Sequence, residues 1–421
     1  MMDEREKAIL VGVNIGKQSN FDYSMEELAN LAVACNMEVA AVITQNLPSI
    51  NKSYYIGNGK IREVAAILAE TGARTVVFND ELSPSHIRNL EKELECRVID
   101  RTILILDIFA ERAKTKEAQL QVEVAKLQYM LPRLIGLRES LGRQGGGSGL
   151  KNRGSGETKL ELDRRKVEEK ITALNQELEI LVSHRQTQRK RRRKNNAPVV
   201  SLVGYTNAGK STIMNAMVEL FHPLANKQVF EKDMLFATLE TSVRNIQLPD
   251  TKSFLLTDTV GFVDKLPHHL VKAFRSTLEE VAESDLLIHV VDYSNPHYEQ
   301  MMEITEKTLK AIGVEDIPII YAYNKADLLD IELPSIQSNG VYLSAKQRIG
   351  IEELISLVRK HIFRNYVQCE MMIPYDQGNI VSYLNQHAEI FSTSYENEGT
   401  KLLLECKTAD YEKYREYVMQ R

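Results

Sequence analysis

Eight residues, Gly204-Tyr205-Thr206-Asn207-Ala208-Gly209-Lys210-Ser211, stand between an apolar run at 199–203 and an amphipathic stretch. That pattern suits one local structure, a strand that turns into a helix through a glycine-rich loop. The glycines let main-chain N–H groups close around phosphates, and the helix N-terminus adds a favourable dipole. A strand that feeds a helix in this way needs parallel neighbours, so the surrounding chain must be α/β. Apolar, β-rich runs at 253–256, 286–291, 317–323 and 341–343 supply them, with helical stretches between. A mostly parallel sheet with helices on both faces is therefore predicted for 198–365.

Three more motifs follow in order. Asp258-Thr259-Val260-Gly261 closes the strand at 254–257. Its aspartate is placed to hold magnesium through water, and the Gly261 amide to sense a γ-phosphate. Asn324-Lys325-Ala326-Asp327 closes the strand at 317–323. A carboxylate there can accept hydrogen bonds from guanine's N1–H and N2 amine, which adenine cannot offer. Ser344-Ala345-Lys346 follows the last strand and is expected to pack on the base. In the loop itself, Lys210 is expected to reach the β- and γ-phosphates and Ser211 to ligate magnesium. Each motif alone is weak. Four in this order, each at the C-terminal end of a predicted strand, predict a P-loop GTPase that converts magnesium-bound GTP to GDP.

The second magnesium ligand must come from the loop after the P-loop helix. Phe236-Ala237-Thr238-Leu239-Glu240 is the candidate, with Thr238 on the metal and Thr241 as its competitor. Lys210, Thr238 and Gly261 then form the catalytic set. Phe262 stands where many small GTPases place the glutamine that orients the attacking water. Slow unassisted turnover follows, with a group from elsewhere completing the site. The alternative is that Phe262 only packs and another residue of this chain serves, His268 and His269 being near in sequence.

Upstream, runs at 8–13, 38–44, 74–78 and 96–99 read as strands, and 25–35, 60–70 and 85–95 as helices. An N-terminal α/β domain over 1–110 is predicted. Leu120, Val124, Leu127, Leu131, Leu134 and Leu141 then recur at spacings of three and four with one polar step at Arg138, as do Leu160, Val167, Ile171, Leu174, Leu178 and Leu181 with a break at Arg164. Two long helices sharing one seam give an antiparallel hairpin over 111–190, kinked at Pro132 and tipped by a glycine-rich loop at 142–156. A basic linker is expected at 191–197, and a small α+β domain at 366–421. The cysteines Cys35, Cys96, Cys369 and Cys406 have no zinc or disulfide spacing and read as buried or half-buried thiols. No apolar run is long enough to span a membrane, and the N-terminus lacks a signal peptide's apolar core, so a cytoplasmic monomer is expected.

These motifs carry a resemblance. Together with Phe236-Ala237-Thr238-Leu239, Asp258-Thr259-Val260-Gly261-Phe262, Leu266-Pro267-His268 and Arg275-Ser276-Thr277-Leu278-Glu279, the phosphate loop resembles the HflX family of translation-associated GTPases. Tyr55-Ile56-Gly57-Asn58-Gly59-Lys60 and Gly154-Ser155-Gly156-Glu157-Thr158-Lys159-Leu160-Glu161 extend the likeness over essentially the whole chain. The resemblance implies an N-terminal region that binds the large ribosomal subunit and its rRNA, and a GTPase that the ribosome stimulates. It also implies splitting of stalled ribosomes into subunits, under heat or other stress. Ser155 replaces the family's usual proline, Leu162 its threonine, and Glu240-Thr241 an Asp-Pro pair. A diverged paralogue that rescues drug-stalled ribosomes fits these departures. GTPases similar to this one at Asn207 hold a potassium ion there, so K+ joins Mg2+ as an expected cofactor. An asparagine that stiffens its own loop is the other reading of Asn207.

The residues support a nucleic-acid partner independently. Net charge is −5, yet 189–194 are six consecutive basic residues, and Arg133, Arg138, Arg143, Lys151 and Arg153 lie along the hairpin and its tip. Such clusters neutralise phosphates, and a glycine loop conforms to folded RNA without reading its sequence. A solvated linker and a passive connector are the plain alternatives. A second nucleotide site at 57–60 or in the loop lacks a full phosphate-binding pattern. Two functions remain: a GTPase that splits ribosomes, or a GTP-gated factor of the large subunit acting in assembly or hibernation.

Overall fold

The computed structural model describes residues 5–16, 20–144, 159–194, 197–221, 236, 242–249, 252–265 and 281–419, with backbone alone for 134–144, 159–160 and 184–194. Near the N-terminus, β1 (Glu6–Ile15), β2 (Met37–Leu47), β3 (Thr75–Phe78) and β4 (Arg97–Asp100) pair in parallel in the order β2-β1-β3-β4. Alternation along β1 sorts its side chains by face. Ile9 and Val11 pack with Val64, Leu68 and Leu90, which belong to α2 (Asn58–Thr71) and α3 (Pro84–Leu94). Ala8 and Leu10 pack with Leu28 and Ile105, which belong to α1 (Phe21–Ala34) and α4 (Arg101–Arg112). Periodicity had not isolated α4, because nearly every residue from Arg101 to Phe109 is buried and no polar face breaks the run. Asp100 starts this helix by accepting from the Ile103 amide, 3.0 Å away.

The hairpin grows out of that core. Ala118, Val122, Ala125 and Tyr129 of α5 (Lys116–Gln144) belong to the same apolar cluster as α1 and α4. Ion pairs join α5 to α6 (Lys159–Lys194), Lys116 with Glu177 at 3.3 Å and Glu123 with Lys170 at 2.5 Å. One heptad forward on α5 meets one heptad back on α6, which fixes the helices as antiparallel. Pro132 lies inside α5. Two boundaries differ from the sequence reading. Residues 142–144 are helical, and 145–158 lie outside the described residues. The basic stretch 191–194, expected as linker, is the end of α6. Arginine and lysine are good helix formers, and cations at a helix C-terminus complement its dipole.

The second sheet runs β10-β11-β9-β8-β5-β7-β6. Its parallel centre is β5 (Val199–Gly204), β7 (Ser253–Asp258), β8 (Leu286–Asp292), β9 (Ile319–Asn324) and β11 (Gly340–Tyr342). Antiparallel edges close both sides, β6 (Ser242–Gln247) on β7 and β10 (Ser335–Gln337) on β11. Neither edge had been read from the sequence. Helices α7 (Lys210–Phe221), α8 (Tyr298–Ala311) and α9 (Ile351–Ile362) pack on its faces. A third sheet, β12 (Tyr366–Ile373), β13 (Glu389–Glu396) and β14 (Gly399–Lys407), is antiparallel in the order β12-β14-β13 and carries α10 (Gly378–His387). It is tied to the second sheet by Lys252, which pairs with Glu405 beneath the rings of Phe363 and Tyr366. Cys369 and Cys406 come from neighbouring strands of this sheet, and all four cysteines are free thiols.

Ile288 in β8 is fully buried. Ile288→Ala should cost about 2–5 kcal/mol through the cavity it leaves. Lys116→Ala, which breaks an exposed pair, should cost under about 1 kcal/mol. Thermal unfolding followed by circular dichroism separates the two, and equal shifts would contradict this placement of the core.

Candidate functional site

β5 lies between β7 and β8, so the chain leaves it to opposite sides and opens a crevice at its C-terminal end. The glycine-rich loop fills that crevice. Lys210 is buried, and its Nζ donates to the carbonyls of Gly204 at 3.1 Å and Tyr205 at 2.8 Å. Burial lowers the Lys210 pKa to about 8, with Asp258 opposing. A partly desolvated cation of this kind gains most from an anion brought beside it. Ser211 Oγ donates to Asp258 Oδ2 at 2.6 Å, which sets a hydroxyl and a carboxylate side by side. Hard oxygen donors of that type suit magnesium.

Close packing dictates two glycines. A Cβ on Gly209 (φ +96°) would lie 2.2 Å from Asn324 Nδ2, and one on Gly261 would lie 2.6 Å from Thr206 Cα. Asn324 is the clamp of the site. Its Nδ2 donates to the Ala208 carbonyl at 2.9 Å, and its Oδ1 accepts from the Ala345 amide at 2.9 Å. One side chain thus fastens the phosphate loop to the Ser344-Ala345-Lys346 turn. Lys325 adopts φ 60° and pairs with Asp292 at 2.7 Å, with Ala326 buried beside it. Asp327 accepts from Gln347 Nε2 at 3.1 Å at the edge of the same turn. Asn207 is the exposed member of the loop, also in the left-handed region at φ 60°, a conformation asparagine tolerates.

Phe262 ties the segment after Gly261 to the loop and the sheet. Phe262 bonds the loop through its backbone, accepting from Thr206 N at 2.7 Å and donating to Gly204 O at 3.2 Å. Its ring is buried with Val203, Val281, Leu287, Leu309 and Val314. Thr259 Oγ1 donates to the Leu202 carbonyl at 2.7 Å. The stretch holding Ala237, Thr238, Leu239, Glu240 and Thr241 lies outside the described residues, as do His268 and His269. Phe236 is described, and its amide donates to Thr206 Oγ1 at 2.8 Å.

One set of contacts had escaped the sequence reading. Tyr205, a spacer in the motif, points its ring away from the loop interior and donates to Glu27 of α1. Glu27 pairs with Arg101 of α4, both buried, and Arg101 reaches Asn79 at 2.9 Å. Burial pushes the Glu27 carboxyl up, while Arg101 and Tyr205 oppose it. The Tyr205 hydroxyl also accepts from the Asp264 amide at 2.8 Å, just past Gly261. Around this link, Phe236, Val260 and Val263 join the core of the N-terminal sheet, with Phe236 edge-on to Phe109 at 4.7 Å. Lys265 pairs with Asp80 at 2.6 Å. A relation between residues 178 positions apart leaves no periodic trace in one sequence.

Comparison with known proteins agrees with this architecture. Residues 22–110 match the family described as GTP-binding GTPase N-terminal, 112–192 its Middle Region, and 199–325 the 50S ribosome-binding GTPase family. A GTPase HflX of Caldanaerobacter subterraneus subsp. tengcongensis is 42% identical, covering 99% of this chain and 94% of the relative. That of Lacrimispora saccharolytica is 41% identical over 94% and 92% of the two chains, and that of Escherichia coli 38% over 94% and 92%. Among the described residues, no helix is long and apolar enough to cross a membrane.

Tyr205→Phe removes one donor from a buried carboxylate and should lower stability by about 1–3 kcal/mol. Nucleotide affinity should change by less than about threefold, because the ring faces the N-terminal domain. Denaturation and fluorescent-nucleotide titration of the same variant check both halves; a large loss of nucleotide with unchanged stability would contradict the assignment.

Proposed function

The chain belongs to the HflX family of GTPases and hydrolyses GTP, and from that premise we propose that it binds the large ribosomal subunit and splits stalled or idle ribosomes into subunits under GTP control. One observation carries the proposal. The phosphate loop is hydrogen-bonded to the N-terminal domain through Tyr205 and Glu27, Val260 and Val263 on either side of Gly261 share a buried core with the N-terminal sheet, and the basic hairpin is rooted in that core. A change at the γ-phosphate therefore acts on the element suited to ribosomal RNA. Heat or antibiotic stress, which leaves ribosomes stalled, is the setting in which this activity is useful.

In the reading we favour, Lys210 neutralises the β- and γ-phosphate oxygens as water attacks the γ-phosphorus and the bond to the bridging oxygen breaks. The Gly261 amide donates to a γ-oxygen. Magnesium fits the Ser211–Asp258 pair, with Thr238 as the switch ligand, and when bound it offsets the charge of the phosphates. Asp327 accepts from guanine, and the turn that Asn324 clamps packs on the base. With the Phe262 ring buried, the attacking water lacks a side chain from that position. The ribosome supplies the missing group, so turnover alone is slow.

Asp327→Asn should weaken GTP binding and favour xanthosine nucleotides, since an amide donates to the oxygen at C2. Competition titrations with GTP, ATP and xanthosine triphosphate measure this; equal wild-type affinity for ATP and GTP would end the guanine assignment.

The function itself is tested on purified intact ribosomes by sedimentation with GTP, GDP or a non-hydrolysable GTP analogue. Subunits should separate with GTP, and added large subunits should raise turnover by tens-fold or more, within the ~10³–10⁵ that an arginine finger is worth. Stable binding without separation under any nucleotide would replace splitting with the role of a GTP-gated factor in assembly or hibernation.

A further inference from the structure

Parallel sheets are normally covered on both faces by their crossover helices. In the second sheet α8 covers β5 and β8 on one face, and α9 crosses β8, β9 and β11 on the other. The link from β9 to β11 contains only a short turn at Ala326–Leu328 and β10, with no helix. Among the described residues, the face of β9 and β11 opposite α9 has no helix laid across it; Tyr293, from the β8–α8 link, packs edge-on there against Tyr323 at 5.6 Å and Tyr342 at 4.9 Å. Ile320, Ala322, Val341 and Leu343 point to the α9 side and are buried.

The open side carries tyrosines. Tyr321 and Tyr323 of β9 and Tyr342 of β11 are half-buried. Tyr323 stacks on Tyr342 at 4.6 Å and 16°, and on Tyr321 at 6.1 Å and 18°. The row is a built feature, because a Cβ on Gly340 would lie 2.8 Å from Tyr323 Cε2. Carboxylates border it. Glu306 of α8 is hydrogen-bonded to Tyr321, and Tyr298 at the start of α8 donates to Glu299 at 3.3 Å. Two nearby cations are paired, Lys307 with Glu303 and Lys325 with Asp292, both at 2.7 Å, while Lys310 lies one helical turn beyond Glu306.

We propose that this tyrosine face is a docking surface for an arginine-bearing segment of a protein partner. A planar guanidinium stacks on aromatic rings and pairs with carboxylates at their margin, which a lysine does less well. Tyrosine and arginine are also the residues that dominate binding at interfaces. The same carboxylates repel phosphate, so the charge that favours arginine disfavours RNA on this face.

The test uses the full-length chain and a fluorescein-labelled peptide of alternating arginine and glycine, with a glutamine-for-arginine peptide as control. Anisotropy should show the arginine peptide binding at least tenfold tighter than the control. Tyr323→Leu, which keeps bulk but loses the ring, should weaken it about three- to tenfold, in the range of a cation–π contact. Glu306→Lys reverses the charge at the margin of the row and removes the partner of Tyr321, and should weaken it similarly, with nucleotide binding unchanged in both. Should Tyr323→Leu misfold, Glu306→Lys alone decides. Peptide affinity untouched by these changes would overturn the proposal. So would a single-stranded RNA oligonucleotide that competes with the peptide and loses affinity in the same variants, which would make the face an RNA platform.

Discussion

A carboxylate taken out of water is stable only where its surroundings hold it, and Glu27 is held from two domains at once. Arg101 lies beside it within the N-terminal sheet, and Tyr205 reaches it from the phosphate loop. Removing one partner from a buried pair of this kind costs about 3–5 kcal/mol, a large part of the net stability of a domain. The two domains therefore cannot separate without exposing or orphaning charge. Apolar contacts reinforce the link, since Phe236, Val260 and Val263 complete a core otherwise built from α1, α4 and α5.

The location of this link follows from topology. In open parallel sheets the crevice for ligands opens at the C-terminal ends of the strands, where strand order reverses. In the N-terminal sheet that point lies between β1 and β3, and Ser24, Asn79 and Arg101 gather there. The Tyr205 hydroxyl reaches Glu27, the partner of Arg101, so the crevice of one α/β domain receives a side chain from the phosphate loop of the other. On the opposite flank, the β6–β7 turn carries Lys252, which is fixed between Glu405 and two aromatic rings. The strand that ends in Asp258 is thus braced by the C-terminal sheet at its start and by the N-terminal sheet beyond its end.

Much of this was legible in the sequence, and for a physical reason. Strand–helix alternation is local, so the N-terminal strands and helices were placed within a few residues of β1–β4 and α1–α3. The phosphate-loop pattern is local as well, although its close packing is not: Gly209 is required by Asn324 and Gly261 by Thr206, so one motif dictates a glycine in another. The edge strands β6 and β10 were missed because their hydrogen bonds, and not an apolar alternation, define them. α4 was missed because burial on all sides erases its period. Tyr205 was read only as a member of the nucleotide-binding loop, because spacing reveals what the backbone of a loop must do but not which distant carboxylate a side chain will meet. The basic run at 189–194 looked like a linker from charge alone, yet α6 carries it as ordered helix to Lys194.

The energy at stake in the Tyr205 link matches what a switch requires. Asp264 donates to the Tyr205 hydroxyl, and that hydroxyl donates in turn to Glu27, so one oxygen serves both the segment after Gly261 and the N-terminal domain. Gly261 packs closely on the loop, since a Cβ there would lie 2.6 Å from Thr206 Cα. Losing one hydrogen bond at a buried, charged acceptor costs about 1–3 kcal/mol. Coupling free energies between sites in allosteric proteins span the same range, about 1–3 kcal/mol. A single apolar contact would be too weak to bias two domains, and a full buried ion pair too strong to be reset by one phosphate. In the proposed function, a tyrosine hydroxyl shared between the Asp264 amide and a buried carboxylate falls between those limits.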